Sequence, residues 1–333
     1  MKHAVLLGLT LLASACATDN VVSTDVPAFA ETVGMGATGD AADDPAIWVH
    51  PSDVSRSLIL GTNKDVGLYV YGLDGSEKQR LPVGLSNNVD LRGNIAVVSN
   101  DGVNALSWFR IEPSTATVSH AGDTRLTRIE PYGVCIGAPG GALQTAVTFK
   151  DGTIDIWTVG DTGSGLVTIS GPRTIKLSSQ LEGCVFDDEA NRLFVGEENV
   201  ALWAIDLATG AQAQVDKVNS GTGLVADVEG ISLYLKPDGA GYLIVSAQGA
   251  NRYVIYDRKP PHAAFGVIKI APSADGKVDG ASTTDGLDAS SAALPGFPAG
   301  ILVVQDDANP ISEVDQNFKI VDWREVEKAL GLK

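Results

Sequence analysis

The sequence is poor in basic residues, and it has few long apolar segments. Lysine and arginine together number 24 against 41 aspartates and glutamates, which gives a formal net charge of −17. Nucleic-acid binding usually requires a basic face, so this charge argues against nucleic acid as a partner. A polyanionic substrate would also be repelled unless cations lie between it and the protein. Beyond the N-terminal region, no segment is long and apolar enough to span a bilayer.

Residues 1–15 have the features of an export signal. The stretch MKHAVLLGLTLLASAC has a basic start, an apolar centre and a small-residue end. Ala13-Ser14-Ala15-Cys16 resembles a bacterial lipobox, although the usual leucine three residues before the cysteine is Ala13. We therefore predict a signal peptide over 1–15 and a lipid anchor on Cys16, with plain secretion as the alternative. The predicted location is the periplasm or, since Ala17 follows the cysteine, the outer membrane as a lipoprotein; otherwise the protein is secreted.

Only two of the three cysteines, Cys135 and Cys184, lie beyond the export signal. Export to an oxidising compartment permits a disulfide between them. Neither has a catalytic partner nearby in the sequence, so a disulfide and a pair of buried thiols both remain open.

Strong helical periodicity is also absent, but the sequence repeats at roughly 45 residues. Six strand-like segments begin with a polar residue, at intervals of 44, 44, 50, 47 and 56 residues: DPAIW, NVDLR, YGVCI, EGCVF, EGISL and DGLDA. A second strand follows in every unit and a third in the first five, with weaker fourth strands. This pattern predicts an all-β fold, a six-bladed β-propeller with four-stranded blades over 25–333. We expect the segment 29–33 to complete the last blade and WREVEKALGLK to form a short helix.

The repeats bring polar residues to one end of the predicted propeller. The inner strand of each blade starts at one face, and the second strand returns to that face. The inner strands then contribute a ring of starting residues: Asp44, Asn88, Tyr132, Glu182, Glu229 and Asp285. The second strands contribute the residues at their ends: Lys64, Asn100, Lys150, Glu198, Gln248 and Asp306.

Such a ring of carboxylates needs a counter-charge. Ca²⁺ takes six to eight oxygen ligands and suits the ring, whereas Mg²⁺ is possible but prefers to keep its waters. Zinc is not favoured, because the four histidines are not paired in the sequence. Alternatively, each acidic residue only caps a strand or a turn. The common register of the six, beside Asp227-Val228-Glu229, favours bound metal.

Signatures of several other enzyme classes are absent. The sequence has no Gly-x-Ser-x-Gly elbow, no Cys-x5-Arg phosphate loop and no Arg-His-Gly segment. It has no glycine-rich dinucleotide fingerprint, and SADGKVDG is not a calcium-binding EF-hand loop.

Motifs along nearly the whole chain resemble those of the β-propeller phytases of the bacterial 3-phytase type. They are GDAADDPAIWVHP, TNKDVGLYVYGLDG, NNVDLR, PYGVC, LEGCVFDDEANRLFVGEENVALW, DVEGISLY, GYLIVSAQG, YVIYDR, TDGLD and QDDAN. The resemblance implies a monomeric hydrolase of the phosphate monoesters of phytate (myo-inositol hexakisphosphate). It also implies several Ca²⁺ ions, phytate or calcium-phytate as substrate, and direct attack by a metal-bridged water without a covalent intermediate.

The resemblance also implies roles for individual residues. The implied metal ligands are Glu31, Asp43, Asp44, Glu182, Asp227, Glu229, Asp279 and Asp306, with Asp306 and Asn309 serving a more structural calcium. The implied catalytic residues are Lys64, Tyr132, Lys150 and Glu198, of which Lys64, Tyr132 and Lys150 bind the substrate.

One position departs from the pattern of this family. Members usually have arginine after the asparagine of the second blade's Ser-Asn motif, where this chain has Asp101. A carboxylate there removes a phosphate-binding fork, or else recruits another cation. Two alternatives therefore stay open: a phosphoesterase of the same fold that acts on other phosphate esters, and a non-catalytic, calcium-dependent binding propeller.

Overall fold

The computed structural model describes residues 21–36, 39–160, 167–311 and 315–333. The predicted signal peptide and Cys16 lie outside these ranges. The described chain begins with two short strands, β1 (Thr24–Pro27) and β2 (Ala30–Glu31). It ends with helix α1 (Trp323–Leu330), as predicted from the tail, and no helix within the described ranges is long and apolar enough to cross a membrane.

The remaining described strands form six sheets, the blades of a β-propeller, which confirms the predicted fold. Blade 1 contains β3 (Ala42–Trp48), β4 (Leu58–Asn63), β5 (Gly67–Gly72) and β6 (Glu77–Leu81); blade 2 contains β7 (Ser86–Arg92), β8 (Ile95–Asn100), β9 (Ala105–Glu112) and β10 (Thr117–Arg125); blade 3 contains β11 (Val134–Gly137), β12 (Gln144–Thr148), β13 (Thr153–Gly160) and β14 (Thr168–Lys176). Blade 4 contains β15 (Leu181–Asp187), β16 (Arg192–Glu197), β17 (Ala201–Asp206) and β18 (Gln212–Lys217); blade 5 contains β19 (Val228–Leu235), β20 (Gly241–Ala247), β21 (Arg252–Asp257) and β22 (Ala264–Ala271); blade 6 contains β23 (Leu287–Ser290), β24 (Ile301–Asp306) and β25 (Asn317–Asp322). Short 3₁₀ turns lie at Val54–Arg56, Pro139–Gly141 and Gln248–Ala250.

The N-terminal strands join the last two blades. Strand β2 pairs antiparallel with β25, with Ala30 opposite Ile320 and Glu31 opposite Lys319. This confirms that the segment 29–33 supplies the fourth strand of blade 6, so the ring is closed by both ends of the chain. Strand β1 pairs in parallel with β22 and adds a fifth strand to blade 5, which the repeats did not predict.

The hydrophobic core lies between neighbouring blades. Successive side chains of a strand point to opposite faces of the sheet. Each blade packs against a neighbour on either side, so apolar side chains on both faces are buried. Between blades 1 and 2, for example, Trp48 and Leu60 pack with Val98 and Phe109. Similar apolar clusters fill the other blade interfaces of the described chain.

A disulfide joins the inner strands of blades 3 and 4. It connects Cys135 and Cys184, whose Cα atoms are 5.8 Å apart. Of the two alternatives left open by the sequence, the structure therefore has the disulfide and not a pair of buried thiols.

The inner strands carry β-bulges close to one end of the central channel. In blades 1, 2, 4 and 5, two inner-strand residues lie opposite one residue of the second strand. The second bulge residue is a glycine in blades 4 and 5, and a Cβ atom on Gly183 would lie 2.1 Å from the carbonyl oxygen of Glu229. In blades 4 and 5 the neighbouring inner strands therefore approach too closely for a side chain at the second position, and the first bulge residue carries the side chain at the mouth.

Candidate metal and substrate site

The first bulge residues and their equivalents form a ring around the mouth of the channel. They are Asp43, Asn87, Tyr132, Glu182, Glu229 and Asp285. The sequence placed Asp44 and Asn88 in this ring, which is wrong by one residue. The repeat alignment began each unit at the polar residue directly before the apolar run. In blades 1 and 2 the second bulge residue is itself polar, whereas in blades 4 and 5 it is a glycine, so only the first two blades were misplaced.

Asp44 lies one residue beyond the ring and contacts the next blade. Its Oδ2 accepts a hydrogen bond from the backbone N–H of Val89 at 3.1 Å. Asp90 and Asp288 accept backbone N–H groups of the following blades in the same way, at 2.8 Å each. Burial raises the pKa of Asp44, and the charge of Asp43 raises it further. Asp44 therefore links blades 1 and 2 next to the mouth of the channel.

A second set of mouth residues follows the second strands. The backbone N–H groups of these residues donate to the segment that precedes the inner strand of the same blade; the residues are Lys64, Asp101, Glu198, Gln248 and Asp307. Lys150 lies two residues beyond β12 and completes the set. The predicted members Asn100 and Asp306 are instead the last residues of β8 and β24, where both are fully buried.

Three glutamates converge at the mouth from blades 4 and 5. One carboxylate oxygen each of Glu182, Glu198 and Glu229 lies within 4.8 Å of the other two. All three are buried, and neither Glu198 Oε1 nor Glu229 Oε2 has a hydrogen-bond partner among the described residues. We call these three residues the glutamate trio.

The trio is electrostatically strained without a cation. Burial raises the pKa of Glu229 well above its ordinary value, and the charge of Glu182 raises it further. Burial, followed by the charge of Glu182, raises the pKa of Glu198 to about 7, and Asp227 adds to this rise. Buried carboxylates whose oxygens lack donors fit a hard cation such as Ca²⁺.

Lys64 lies among further carboxylates at the same mouth. Its ammonium nitrogen is 3.0 Å from Asp40 Oδ1, 3.5 Å from Asp43 Oδ1 and 3.4 Å from Asp285 Oδ2. Burial alone would lower the pKa of Lys64, but the charges of Asp43 and Asp285 outweigh it and raise that pKa. Gln248 donates a side-chain hydrogen bond to Asp285 Oδ1 and so fixes this carboxylate beside the lysine.

Asp43 remains incompletely paired despite Lys64. Its side chain is buried, and neither of its oxygens accepts a hydrogen bond from the described residues. Burial raises the pKa of Asp43 to about 7 against the opposing charge of Lys64. Burial likewise raises the pKa of Asp285 to about 8, and Asp43 adds to that rise. Both carboxylates therefore have the capacity to exchange a proton for a metal ion.

Tyr132 and Lys150 form the blade 3 side of the mouth. The ammonium nitrogen of Lys150 lies 4.4 Å from the centre of the Tyr132 ring, which is cation–π geometry. Burial raises the pKa of the Tyr132 hydroxyl, and the charges of Glu182 and Glu229 add to this, so it stays protonated as a donor. Lys150 is exposed, so its ammonium group is available to an anionic substrate.

The other residues implied as metal ligands lie in a second cluster. The ammonium nitrogen of Lys319 lies 2.5 Å from Glu31 Oε2, 2.5 Å from Asp279 Oδ1, 3.0 Å from Asp306 Oδ2 and 2.5 Å from Asn309 Oδ1. We call these five residues the Lys319 cage. The sequence analysis did not identify Lys319. Its four partners lie in separate segments of the chain, and nothing in the sequence around Lys319 indicates that they meet there.

Comparison with known proteins places the chain in a family and finds a relative of known activity. The family model for phytase matches residues 2–333. The 3-phytase of Bacillus subtilis (strain 168) is 37% identical to this chain over 329 residues, which cover 92% of this chain and 85% of the relative. Among solved structures, a chain of the nidogen/laminin complex matches with a TM-score of 0.48 and 13% identity, covering 68% of this chain and 79% of that chain. This last similarity is too low to carry an argument.

Proposed function

Because the chain belongs to the phytase family and is a phytate-hydrolysing enzyme, we propose that its activity depends on calcium held at the mouth of the propeller. The glutamate trio carries this proposal, since buried oxygens of Glu198 and Glu229 lack any hydrogen-bond donor among the described residues. The residues that would hold calcium are Asp43, Glu182, Glu198, Asp227, Glu229 and Asp285. Calcium in this place would neutralise the carboxylates, bind phosphate oxygens and lower the pKa of the attacking water.

The side chains of the mouth have complementary tasks in this proposal. Lys150 binds a phosphate of the substrate. Lys64 would bind phosphate as well, once the charges of its partners Asp43 and Asp285 are neutralised. The Tyr132 hydroxyl donates a hydrogen bond to a phosphate oxygen. Glu198 would accept a hydrogen bond from the attacking water and so orient it.

The electrostatics also account for how a protein of net charge −17 accepts a polyanion. Without cations, the mouth carboxylates would repel phytate. With cations between protein and substrate, the same carboxylates become an anchoring surface for calcium-phytate. Calcium is preferred over magnesium because this irregular set of oxygens suits a large, flexible coordination sphere.

Phosphate release from phytate, with calcium titrated against a chelator, tests the proposal. We expect activity to disappear in chelator, to return with calcium, and to return much less with magnesium. Parallel assays with a sugar phosphate and a phosphodiester separate a phytase from a phosphoesterase of broader range. Undiminished phytate hydrolysis in excess chelator would contradict the role of calcium.

We propose further that the protein is exported, carries a lipid on Cys16 and acts as a monomer. The Cys135–Cys184 disulfide supports export, because disulfides persist in oxidising compartments. Metabolic labelling with a fatty acid should mark the wild-type protein and leave the Cys16→Ser variant unmarked, and light scattering of the purified domain should give the mass of one chain. Equal labelling of both proteins would contradict lipidation at Cys16.

A further inference from the structure

The Lys319 cage lies where the two ends of the chain meet. Glu31 comes from β2 and Lys319 from β25, and these two residues lie opposite each other in the last blade. Asp306 ends β24, while Asp279 and Asn309 come from the loops that precede β23 and β25. Ion pairs in this cage therefore connect the N-terminal strand to the C-terminal blade.

The donors of Lys319 are fully used by the cage. An ammonium group has three N–H donors, and four oxygens surround this one at 2.5–3.0 Å. The side chain of Lys319 is 0% exposed, and those of Asp306 and Asp279 are 0% and 6% exposed. Burial would lower the pKa of Lys319, but Asp306 and the hydrogen bonds to Asp279 and Glu31 outweigh it and raise that pKa.

The cage carboxylates also receive donors other than Lys319. Asp306 Oδ1 accepts from the backbone N–H of Ser282 at 2.7 Å and from its hydroxyl at 3.1 Å. Glu31 Oε2 accepts from the side-chain amide of Asn317 at 3.1 Å. Burial raises the pKa of Asp306, and the charge of Lys319 and the hydrogen bonds from Ser282 oppose this rise. The negative charge in the cage is thus balanced by protein groups.

The centre of the cage leaves no place for a second cation. Calcium–oxygen distances are about 2.3–2.6 Å, so a calcium ion that shared these oxygens would occupy the position of the ammonium nitrogen. We propose that the Lys319 ammonium takes the place of a structural cation, that it closes the propeller ring, and that Glu31, Asp279 and Asp306 hold no metal ion. Calcium binding is then confined to the mouth.

Thermal unfolding tests the proposal in a Glu229→Gln background, which weakens calcium binding at the mouth. In this background we expect chelation to shift the melting temperature less with Lys319 present than in its absence. Adding Lys319→Met leaves the buried carboxylates without their counter-charge, so the melting temperature in chelator should fall by about 5–10 °C. Calcium chloride should restore most of this loss, because the emptied cage can then hold the ion. The matched control is Lys277→Met, which removes an ion pair of an 80% exposed side chain and should change little.

Crystals soaked in calcium chloride give a test that does not depend on a variant that folds. An anomalous difference map of the wild-type protein should show calcium at the mouth and none within the Lys319 cage. A calcium peak among Glu31, Asp279 and Asp306 overturns the proposal. So does a calcium-dependent rise in melting temperature that is as large with Lys319 present as without it. Activity assays report only on calcium at the mouth. If catalysis proved independent of calcium, the anomalous map and the melting temperatures would still test whether the Lys319 cage holds an ion.

Discussion

Two lysines of this propeller are surrounded by carboxylates, but they are held in different ways. The Lys64 side chain at the mouth is 22% exposed, and its contacts with acidic oxygens measure 3.0–3.5 Å. The Lys319 side chain is 0% exposed, with contacts of 2.5–3.0 Å. The ammonium group of Lys64 is thus partly exposed and makes longer contacts with its acidic neighbours, whereas that of Lys319 is buried and makes short ones.

The acids around the two lysines differ in the same sense. In the Lys319 cage, Asp306 and Glu31 receive further hydrogen bonds from Ser282 and Asn317. At the mouth, buried oxygens of Asp43, Glu198 and Glu229 receive none from the described residues. In the cage, Asp306 Oδ2 also accepts no hydrogen bond, but the Lys319 ammonium lies 3.0 Å from it as its counter-charge. Buried polar atoms without partners are rare in native proteins and often mark a ligand site. Identical residue types thus build a complete structural cluster in one place and an incomplete, cation-requiring one in the other.

The largest effect should come from removing one charge from the incomplete cluster. Glu229→Gln keeps the size of the side chain but removes a carboxylate of the glutamate trio. We expect kcat for phytate to fall by at least about 10- to 100-fold, with a higher calcium requirement, because a direct ligand is worth no less than the 10–100-fold typical of its supporting residues. Steady-state kinetics at several calcium concentrations measure this, and circular dichroism checks the fold.

The matched control for this variant is Glu189→Gln. The Glu189 side chain is 69% exposed and pairs with Arg258. It lies in the turn between β15 and β16, at the end of these strands opposite to Glu182 and Glu198. The control variant should leave kcat unchanged. If Glu229→Gln retained near wild-type kcat at limiting calcium, Glu229 would be only a strand-start residue and the trio would lose its assigned role.

Removal of each lysine should separate function from stability. For Lys64→Met we expect kcat/KM to fall by about 10–100-fold, since a charge-assisted hydrogen bond to phosphate is worth about 1.5–3 kcal/mol. Calcium should bind this variant several-fold more tightly, because Asp43 and Asp285 lose a competing cation. Its melting temperature in calcium should change little, in contrast to Lys319→Met. Calorimetric titration and thermal melts measure both quantities, and weaker calcium binding by Lys64→Met would contradict the competition.

The pH dependence of stability should reveal the unpaired acids of the mouth. In the metal-free fold, burial raises the pKa of Asp43 and Glu198 to about 7 and that of Asp285 to about 8. In the unfolded chain these groups titrate near pH 4. Between about pH 4 and 8 the native state therefore binds more protons than the unfolded state, and stability falls as the pH rises.

We accordingly expect the melting temperature of the metal-free protein to decrease from pH 5 to pH 8. Calcium should reduce this slope, because it replaces the bound protons as counter-charge. Asp43→Asn removes one of the titrating groups and should flatten the slope in chelator. A metal-free melting temperature that rises over the same range would show that the mouth carboxylates are already stabilised as anions.

The sequence predicted the architecture well because the repeats and turns are local signals. The blades, the closure by 29–33 and the terminal helix all follow from them. The mouth was placed correctly as a region, yet Asp44 and Asn88 stood one residue out of register. Both residues of the bulge are polar in blades 1 and 2, and the sequence does not show which of them lies in the ring. Asp285 stood in the predicted ring and was absent from the implied ligand list, although it faces Lys64 at 3.4 Å. Lys319 escaped notice because its partners come together only in the folded ring.

The smallest effect should come from Asp101, where the mouth departs from the family pattern. Asp101 follows the second strand of blade 2, and its Oδ2 accepts a hydrogen bond from Asn87 Nδ2 at 2.9 Å. Its Oδ1 is buried without a hydrogen-bond partner in the described chain. Burial raises the pKa of Asp101, and the hydrogen bond from Asn87 and the charge of Lys150 oppose the rise. A carboxylate here would repel a second phosphate of a substrate bound beside Lys150.

For Asp101→Arg we therefore expect KM for phytate to fall by about three- to tenfold, because a bidentate guanidinium can pair with that second phosphate. A substrate with a single phosphate has no group at this position, so its KM should not change. Asp101→Asn removes the repulsion without adding a donor fork and should lie between wild type and Asp101→Arg. If instead both variants bound phytate more weakly at saturating calcium, Asp101 would be holding a cation of its own, and the incomplete cluster of the mouth would extend from blade 4 around to blade 2.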